Sequence, residues 1–265
     1  MRKADSLKRQ KYCPFVRFSI LFSLFLRLEK ETNDMSHTSF TFKQFTVCQD
    51  KCAMKVGTDG VLLGAWARGG RRILDVGTGS GLVALMMAQR FEEAEVTAID
   101  IEPGACFQAR ENVAVSPFAG RISVVDASLQ SFQGGVYDSI VCNPPFYAGT
   151  LKSKTAARTM ARSAETLPFT DLFASAARLL AGGGVFSVVI PSSCKGAFDA
   201  EAAVAGLFPL RICAVRTLAR KPVSRYLLAY GKRPAGVIEE TEYCLNNADM
   251  SRSEWYAGLT KDFYL

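Results

Sequence analysis

The 265-residue sequence holds one histidine, His37. A Ser-His-Asp or Cys-His mechanism would have to use it, and it lies in a lead-in ahead of the first patterned segment, so both are set aside. Eight cysteines occur, but no C-x-x-C, and the nearest pair is Cys48 and Cys52. A Cys/His zinc site is not expected. Spread singly along apolar segments, these cysteines read as reduced core residues of a cytoplasmic protein. A bilayer-spanning run is also missing. The stretch from Phe15 to Leu28 is about 14 residues against the ~20 a span requires. Arg17 and Arg27 interrupt it, and no small-x-small cleavage site follows. Residues 1–34 are expected to be an extension, disordered or not translated, with Met35 as the start. An amphipathic surface helix is the alternative there. Residues 35–265 are expected to form a single domain. No membrane or metal partner is expected, and the protein is expected to be a monomer.

Acid is absent between Ala202 and Ile238, a stretch carrying Arg211, Arg216, Arg220, Lys221, Arg225, Lys232 and Arg233. Residues 1–34 hold eight Lys/Arg against four Asp/Glu, which leaves 24 against 21 for the rest. A second basic cluster is Lys152, Lys154, Arg158 and Arg162, and the segment from Glu239 onward is acidic. Basic zones on a near-neutral body fit a polyanion partner; a solvated face is the alternative. Nearly half of the residues are apolar, which is ample for a core.

Ser39 to Val47 alternates apolar and polar residues as a strand does. Thr58 is a fair N-cap for a short helix through Ala67. RRILDVGTGSGLVALMMAQRF then reads as buried strand, glycine turn and helix. VTAID is a second strand, followed by a helix opened by Pro103. RISVVDA and YDSIVCN are the third and fourth strands. LPFTDLFASAARLLAGGG is a helix with a glycine stop, GVFSVVIP a strand, and AFDAEAAVAGLF a helix. PLRICAVRTLA and SRYLLAYGKR are two strands in succession. Strands alternating with helices imply an α/β fold with a doubly wound, mainly parallel sheet. The last two strands add a terminal antiparallel pair.

Asp75-Val76-Gly77-Thr78-Gly79-Ser80-Gly81 sits at a strand-to-helix turn, where glycines let a ligand approach the backbone and helix N-terminal amides face it. Asp100 ends the second strand, and an acid there suits a ribose diol, of NAD as much as of any other nucleoside. Asp126 ends the third strand, where a carboxylate suits an adenine amino group or simply caps a turn. Asp75 is placed to meet an ammonium. Three acids at neighbouring strand ends favour a cationic amino-acid nucleoside over a pyrophosphate. The fourth strand ends in Asn143-Pro144-Pro145-Phe146. The Asn143 carboxamide oxygen and the Pro144 carbonyl can accept two hydrogen bonds from one NH2 group, and Phe146 offers a face for a planar base. The bland alternative is a strand-ending turn with a buried Phe.

DVGTGSG, AIDIEP, DAS and NPPF, in this order, resemble the class I S-adenosylmethionine-dependent amino-methyltransferases, whose Rossmann-like sheet has seven strands. FKQFTVCQDKCAMKVGTDGVLLGAWA and the closing LTKDFYL are similar to the bacterial tRNA1(Val) (adenine(37)-N6)-methyltransferases, from about Phe40 to Leu265. The resemblance implies methyl transfer from S-adenosylmethionine to N6 of an adenine in a tRNA anticodon loop. It implies cofactor binding at Asp75, Gly77, Thr78, Gly79, Gly81, Asp100, Ile101, Asp126 and Ala127. Catalysis falls to Asn143, Pro144, Pro145 and Phe146. Substrate contacts fall to Tyr147, Lys152, Lys154, Arg158 and Arg162, beside a splayed base. Lys55, Gly57, Thr58 and Asp59 match a segment expected to cover the cofactor. The competing targets are a glutamine side chain of release factors and guanine N2 of rRNA.

Overall fold

Ile73, Leu74 and Val76 flank Asp75 in a run apolar on both faces of the pleat, the pattern of a strand covered from both sides. In the computed structural model this run is central. The structure describes residues 39–52, 55–144 and 167–265, and Phe40–Leu265 cluster as one compact unit. The strands are β1 (Ser39–Thr41), β2 (Thr46–Cys48), β3 (Arg72–Val76), β4 (Glu95–Asp100), β5 (Ile122–Asp126), β6 (Tyr137–Cys142), β7 (Leu180–Pro191), β8 (Phe208–Arg216), β9 (Val223–Gly231) and β10 (Glu239–Cys244). The helices are α1 (Thr58–Trp66), α2 (Leu82–Arg90), α3 (Pro103–Ala114), α4 (Phe169–Leu179), α5 (Lys195–Val204) and α6 (Glu254–Thr260).

The main sheet runs β10-β8-β9-β7-β6-β3-β4-β5. β3, β4, β5, β6 and β7 are mutually parallel, while β9 is antiparallel to both β7 and β8. The expected parallel sheet with a terminal antiparallel pair is therefore present. It carries one strand more than the seven expected. β10 adds in parallel outside β8, with Glu239 opposite Arg211 and Cys244 opposite Arg216. The segment from Glu239, read from the sequence only as acidic, is thus an edge strand, held by Arg211–Glu239 at 2.9 Å and Arg216–Glu242 at 2.7 Å.

Side chains alternate between two buried layers, as the strand period of two requires. Ile73, Val141, Val185, Val189, Leu227 and Ala229 face α1, α2, α3 and α6. Leu74, Ile140, Phe186, Val188, Leu228 and Tyr230 face α4 and α5. In the second layer Phe173 meets Phe186, Phe198 and Tyr230 edge-on, with ring centroids 5.3–5.6 Å apart, the arrangement the ring quadrupole favours.

Three local expectations need correction. The alternating segment at Ser39–Val47 is not one strand. It folds back after Phe42, whose amide donates to the Phe45 carbonyl at 2.8 Å, giving the separate β1–β2 pair. Thr58 is the first helical residue rather than the cap; Gly57 holds that position, with no side-chain cap bond. The glycines after α4 do not stop a helix in a loop. Leu180 already belongs to β7, and Ala181–Gly184 are strand residues. A Cβ at Gly184 would sit 2.9 Å from the Tyr137 carbonyl oxygen and 3.0 Å from that of Asp138. Gly184 therefore serves close strand approach at an irregularity in the β6–β7 register, whereas a Cβ at Gly182 or Gly183 would meet nothing within 4 Å.

Candidate active site

Chain order changes sides between β3 and β6: β4 and β5 follow on one flank, β6 and β7 on the other. At such a point a crevice opens beyond the carboxyl ends of the strands. The glycine turn sits there because β3 ends at Val76 and α2 begins at Leu82. Gly77, Gly79 and Gly81 take φ of 68°, 56° and 83°, which side-chain-bearing residues rarely adopt. A Cβ at Gly77 or Gly79 would meet nothing within 4 Å, whereas one at Gly81 would press on Ala109 at 3.4 Å. The first two glycines thus keep an open backbone surface toward the crevice, and the third lets α2 pack close to α3.

Asp75 is buried, and its Oδ2 accepts from the Thr78 hydroxyl at 2.6 Å and the Ala84 amide at 3.1 Å. This oxygen secures the turn and the first turn of α2, a task sequence reasoning did not give it. Burial pushes its carboxyl up to about 7, against the opposing pull of those two hydrogen bonds. Asp100 accepts from the Gly79 amide at 2.9 Å through Oδ2 and from the Glu102 amide at 3.0 Å through Oδ1. Each carboxylate oxygen has a second lone pair, so Asp100 locks the loops and still has acceptor capacity for a diol. Ile101 follows it, exposed. Asp126 lies opposite Asp100 in register. The Cys106 thiol and the Arg110 guanidinium, the latter at 2.8 Å, hold its carboxyl below the usual range. The Ala127 amide donates to the Asp100 carbonyl at 3.0 Å.

Asn143 follows the last residue of β6, half-buried, with Pro144 buried after it. Among the described residues its carboxamide has no hydrogen-bond partner. Gly60 of α1 lies against it, and a Cβ on Gly60 would come within 3.8 Å of Asn143 Nδ2 and 3.0 Å of Leu82 Cδ2. The Lys55–Asp59 segment leads into this contact. Pro145, Phe146, Tyr147, Lys152, Lys154, Arg158 and Arg162 lie outside the described residues.

Sequence reasoning missed the residues that tie the lead-in to the site. Asn112 of α3, fully buried, accepts from the Cys48 amide at 2.9 Å and donates to the carbonyls of Cys48 and Ser80, both at 2.8 Å. The Gln108 carboxamide accepts from the Lys51 amide at 3.1 Å, and that of Gln49 from the Val56 amide at 2.6 Å. Asp59 pairs with Arg225 of β9. The one visible signal was two amides, Gln108 and Asn112, at i and i+4 on a helix face otherwise made of small and apolar residues.

The basic stretch does not form one patch. Arg211 lies toward the amino end of β8, and Lys232 and Arg233 follow β9, whose antiparallel run brings its end to that same edge. Arg216, Arg220, Lys221 and Arg225 lie at the carboxyl edge with the glycine turn.

Residues 56–199 match the family model described as the methyltransferase small domain. A protein of Aeromonas hydrophila named tRNA1(Val) (adenine(37)-N6)-methyltransferase is 42% identical over 232 residues, covering 86% of this chain and 98% of that one. One of the same name from Parabacteroides distasonis is 43% identical over 236 residues, covering 87% and 99%. Among solved structures, a predicted O-methyltransferase of Agrobacterium tumefaciens superposes with a TM-score of 0.61 at 18% identity, over 77% of this chain and 96% of that one, a likeness of fold. A glycine turn at the switch point, acids ending β4 and β5 and an Asn-Pro ending β6 agree with nearly full-length similarity: the chain belongs to the family of tRNA1(Val) (adenine(37)-N6)-methyltransferases.

Proposed function

We propose that this protein transfers a methyl group from S-adenosylmethionine to N6 of adenine 37 in the anticodon loop of tRNA1(Val), acting as a cytoplasmic monomer. The observation that carries the reading is the Asn143 carboxamide, without a partner among the described residues at the carboxyl end of β6, in a chain similar over almost its relatives' full length to proteins named for this activity.

The residues fit the cofactor. Gly77 and Gly79 give an open backbone surface where a side chain would otherwise project, and Asp100 beside them retains acceptor capacity for ribose hydroxyls. Ile101, Asp126 and Ala127 continue that wall toward an adenine. Asp75 acts from beneath, through Thr78 and Ala84. When bound, S-adenosylmethionine supplies an electrophilic sulfonium methyl.

The chain's own work is to hold the amine. Adenine N6 is a weak nucleophile because its lone pair is delocalised into the ring. The Asn143 oxygen accepts one N–H and the Pro144 carbonyl the other, and the fixed φ of proline keeps that carbonyl from turning. Both hydrogens are then engaged on one side, and the lone pair points away from the acceptors. This is catalysis by positioning, and it needs no strong base before attack. Phe146 supplies a stacking face for the base once it leaves its own stack.

The test is transfer of labelled methyl to total tRNA, total rRNA and release factor in parallel. Label in tRNA, recovered as N6-methyladenosine, is expected. Label confined to release factor or recovered as N2-methylguanosine would replace this reading with one of those targets. Asn143→Ala is expected to lower kcat by about 10²-fold, the cost of a lost near-attack geometry. Its cofactor Kd should remain close to that of the wild type. Undiminished transfer by that variant would refute the role given to the carboxamide.

A further inference from the structure

Charge is segregated along the carboxyl edge of the sheet. On the β3-β4-β5 flank Asp100 and Glu102 have no cationic partner among the described residues, while Asp126 is paired with Arg110 and Asp75 is buried. The β7-β9-β8 flank carries Lys195, Arg216, Arg220, Lys221 and Arg225. A polyanion is repelled by the first flank and attracted by the second. Three of the five cations are already matched: Lys195 with Asp199, Arg216 with Glu242 and Arg225 with Asp59. Arg220 and Lys221 are exposed and have no acidic partner among the described residues.

These two residues stand on a braced turn rather than a loose loop. Arg216 Nη1 donates to the Lys221 carbonyl at 2.8 Å, and the Lys221 amide donates to Leu218 at 2.9 Å. Leu218 is buried beneath the turn. The Ser224 hydroxyl donates to the Val215 carbonyl at 3.0 Å, while the amides of Leu245 and Asn246 reach back to Arg216 and Thr217. Fixing a turn in advance lowers the entropy that a charged contact must overcome on binding.

The base of the turn is joined to the site. Arg225 pairs with Asp59, and the next residue, Gly60, backs Asn143. β9 and β8 lie two and three strands from β6, or about 10–15 Å at the usual strand spacing. That reaches nucleotides flanking the target base, not the base itself. One loop farther out, Asp249 is occupied by the Ser251 amide and hydroxyl, and it bounds the basic surface on that side.

We propose that the hairpin joining β8 and β9, through Arg220 and Lys221, grips backbone phosphates of the tRNA beside the target adenine. This rests on the RNA reading above and adds to it a second contact surface, built from the catalytic body itself. The pair sets affinity and register, and the chemistry stays with Asn143.

The experiment compares tRNA1(Val) binding by the wild-type protein, Arg220→Ala/Lys221→Ala, and Arg71→Ala/Arg233→Ala. The last removes the same charge from exposed positions on the opposite edge. The hairpin variant is expected to bind about tenfold more weakly near 0.1 M salt, with a salt slope shallower by about 1–2, as the loss of two phosphate contacts dictates. Its kcat at saturating tRNA and its cofactor Kd should stay at wild-type values, and the opposite-edge variant should bind as wild type. Equal binding and slope for the hairpin variant overturn this proposal alone. So does an equal loss in the opposite-edge variant, since attraction would then be diffuse. A wild-type protein that binds no tRNA overturns the RNA reading, and this proposal with it.

Discussion

Asp75 shows how one side chain beside a candidate ligand site also carries a structural task. From the sequence it is an acid beside a glycine turn, facing a ligand. In the structure its Oδ2 is turned inward to Thr78 and Ala84. Its carboxyl ordinarily titrates at 3.8 and here is pushed up to about 7 by burial. A group whose folded pKa lies above its unfolded one binds more protons when folded. Stability from this site is therefore complete below the unfolded value and falls as pH rises through the folded one. Asp75→Asn keeps an acceptor for both donors and carries no charge to desolvate. The variant's unfolding free energy minus that of the wild type is expected to grow by about 3 kcal/mol between about pH 5 and about pH 8, the part of the shift that lies above pH 5, by the energy per pKa unit. Urea unfolding at the two pH values measures it. Parallel stability curves for the two proteins would show that the carboxyl is ionised throughout.

At the scale of elements, the described residues of the lead-in between β2 and α1 carry no regular structure and are held by amide side chains. Asn112 bonds both backbone groups of Cys48 and the carbonyl of Ser80, so one carboxamide joins the lead-in to the glycine turn. Asn112→Ala leaves buried polar groups unmatched, at about 1–3 kcal/mol for each. A loss of about 3 kcal/mol in urea unfolding is expected, with weaker cofactor binding by calorimetry because the turn loses a support. A change below about 0.5 kcal/mol would place the variant among neutral surface substitutions and deny the amide this role. The contrast with Asn143 explains what could be seen in advance. The glycine turn, Asp100 and Asn143 are signalled by neighbours in sequence: an apolar strand, then Gly, Asp or Asn-Pro. Asn112, Gly60 and the Asp59–Arg225 pair act across long separations, and their neighbours in the chain do not name the partners they meet. The eighth strand was hidden for a related reason. EETEYC lacks the apolar alternation of a half-buried strand because its matching is ionic, to Arg211 and Arg216. Gly184 of β7 reads as part of a helix stop because the Tyr137 and Asp138 carbonyls that crowd it lie some 45 residues earlier.

For the whole molecule the question is what stops an open eight-stranded sheet from pairing with another copy. Both edges are blunted by charge. On β5 the Arg110 guanidinium donates to the Val124 carbonyl at 3.1 Å and to Asp126, occupying an acceptor that a visiting strand would use. On β10 the exposed edge carries Glu239, Glu240 and Glu242. A second β10 laid against the first would set carboxylates opposite carboxylates, which is destabilising. The arginines that neutralise Glu239 and Glu242 are on β8, behind the edge, and Glu240 has no such partner among the described residues. Sedimentation velocity on the wild-type protein at tens of micromolar is therefore expected to give a single monomeric species. Glu240→Val/Glu242→Val turns the same strand into a β-branched, nearly uncharged edge and should produce concentration-dependent dimers, suppressed when Lys replaces Val at position 240. A wild-type dimer that the Val variants leave unchanged would mean that association uses another surface and that the acids of β10 serve only to hold the strand to its neighbour.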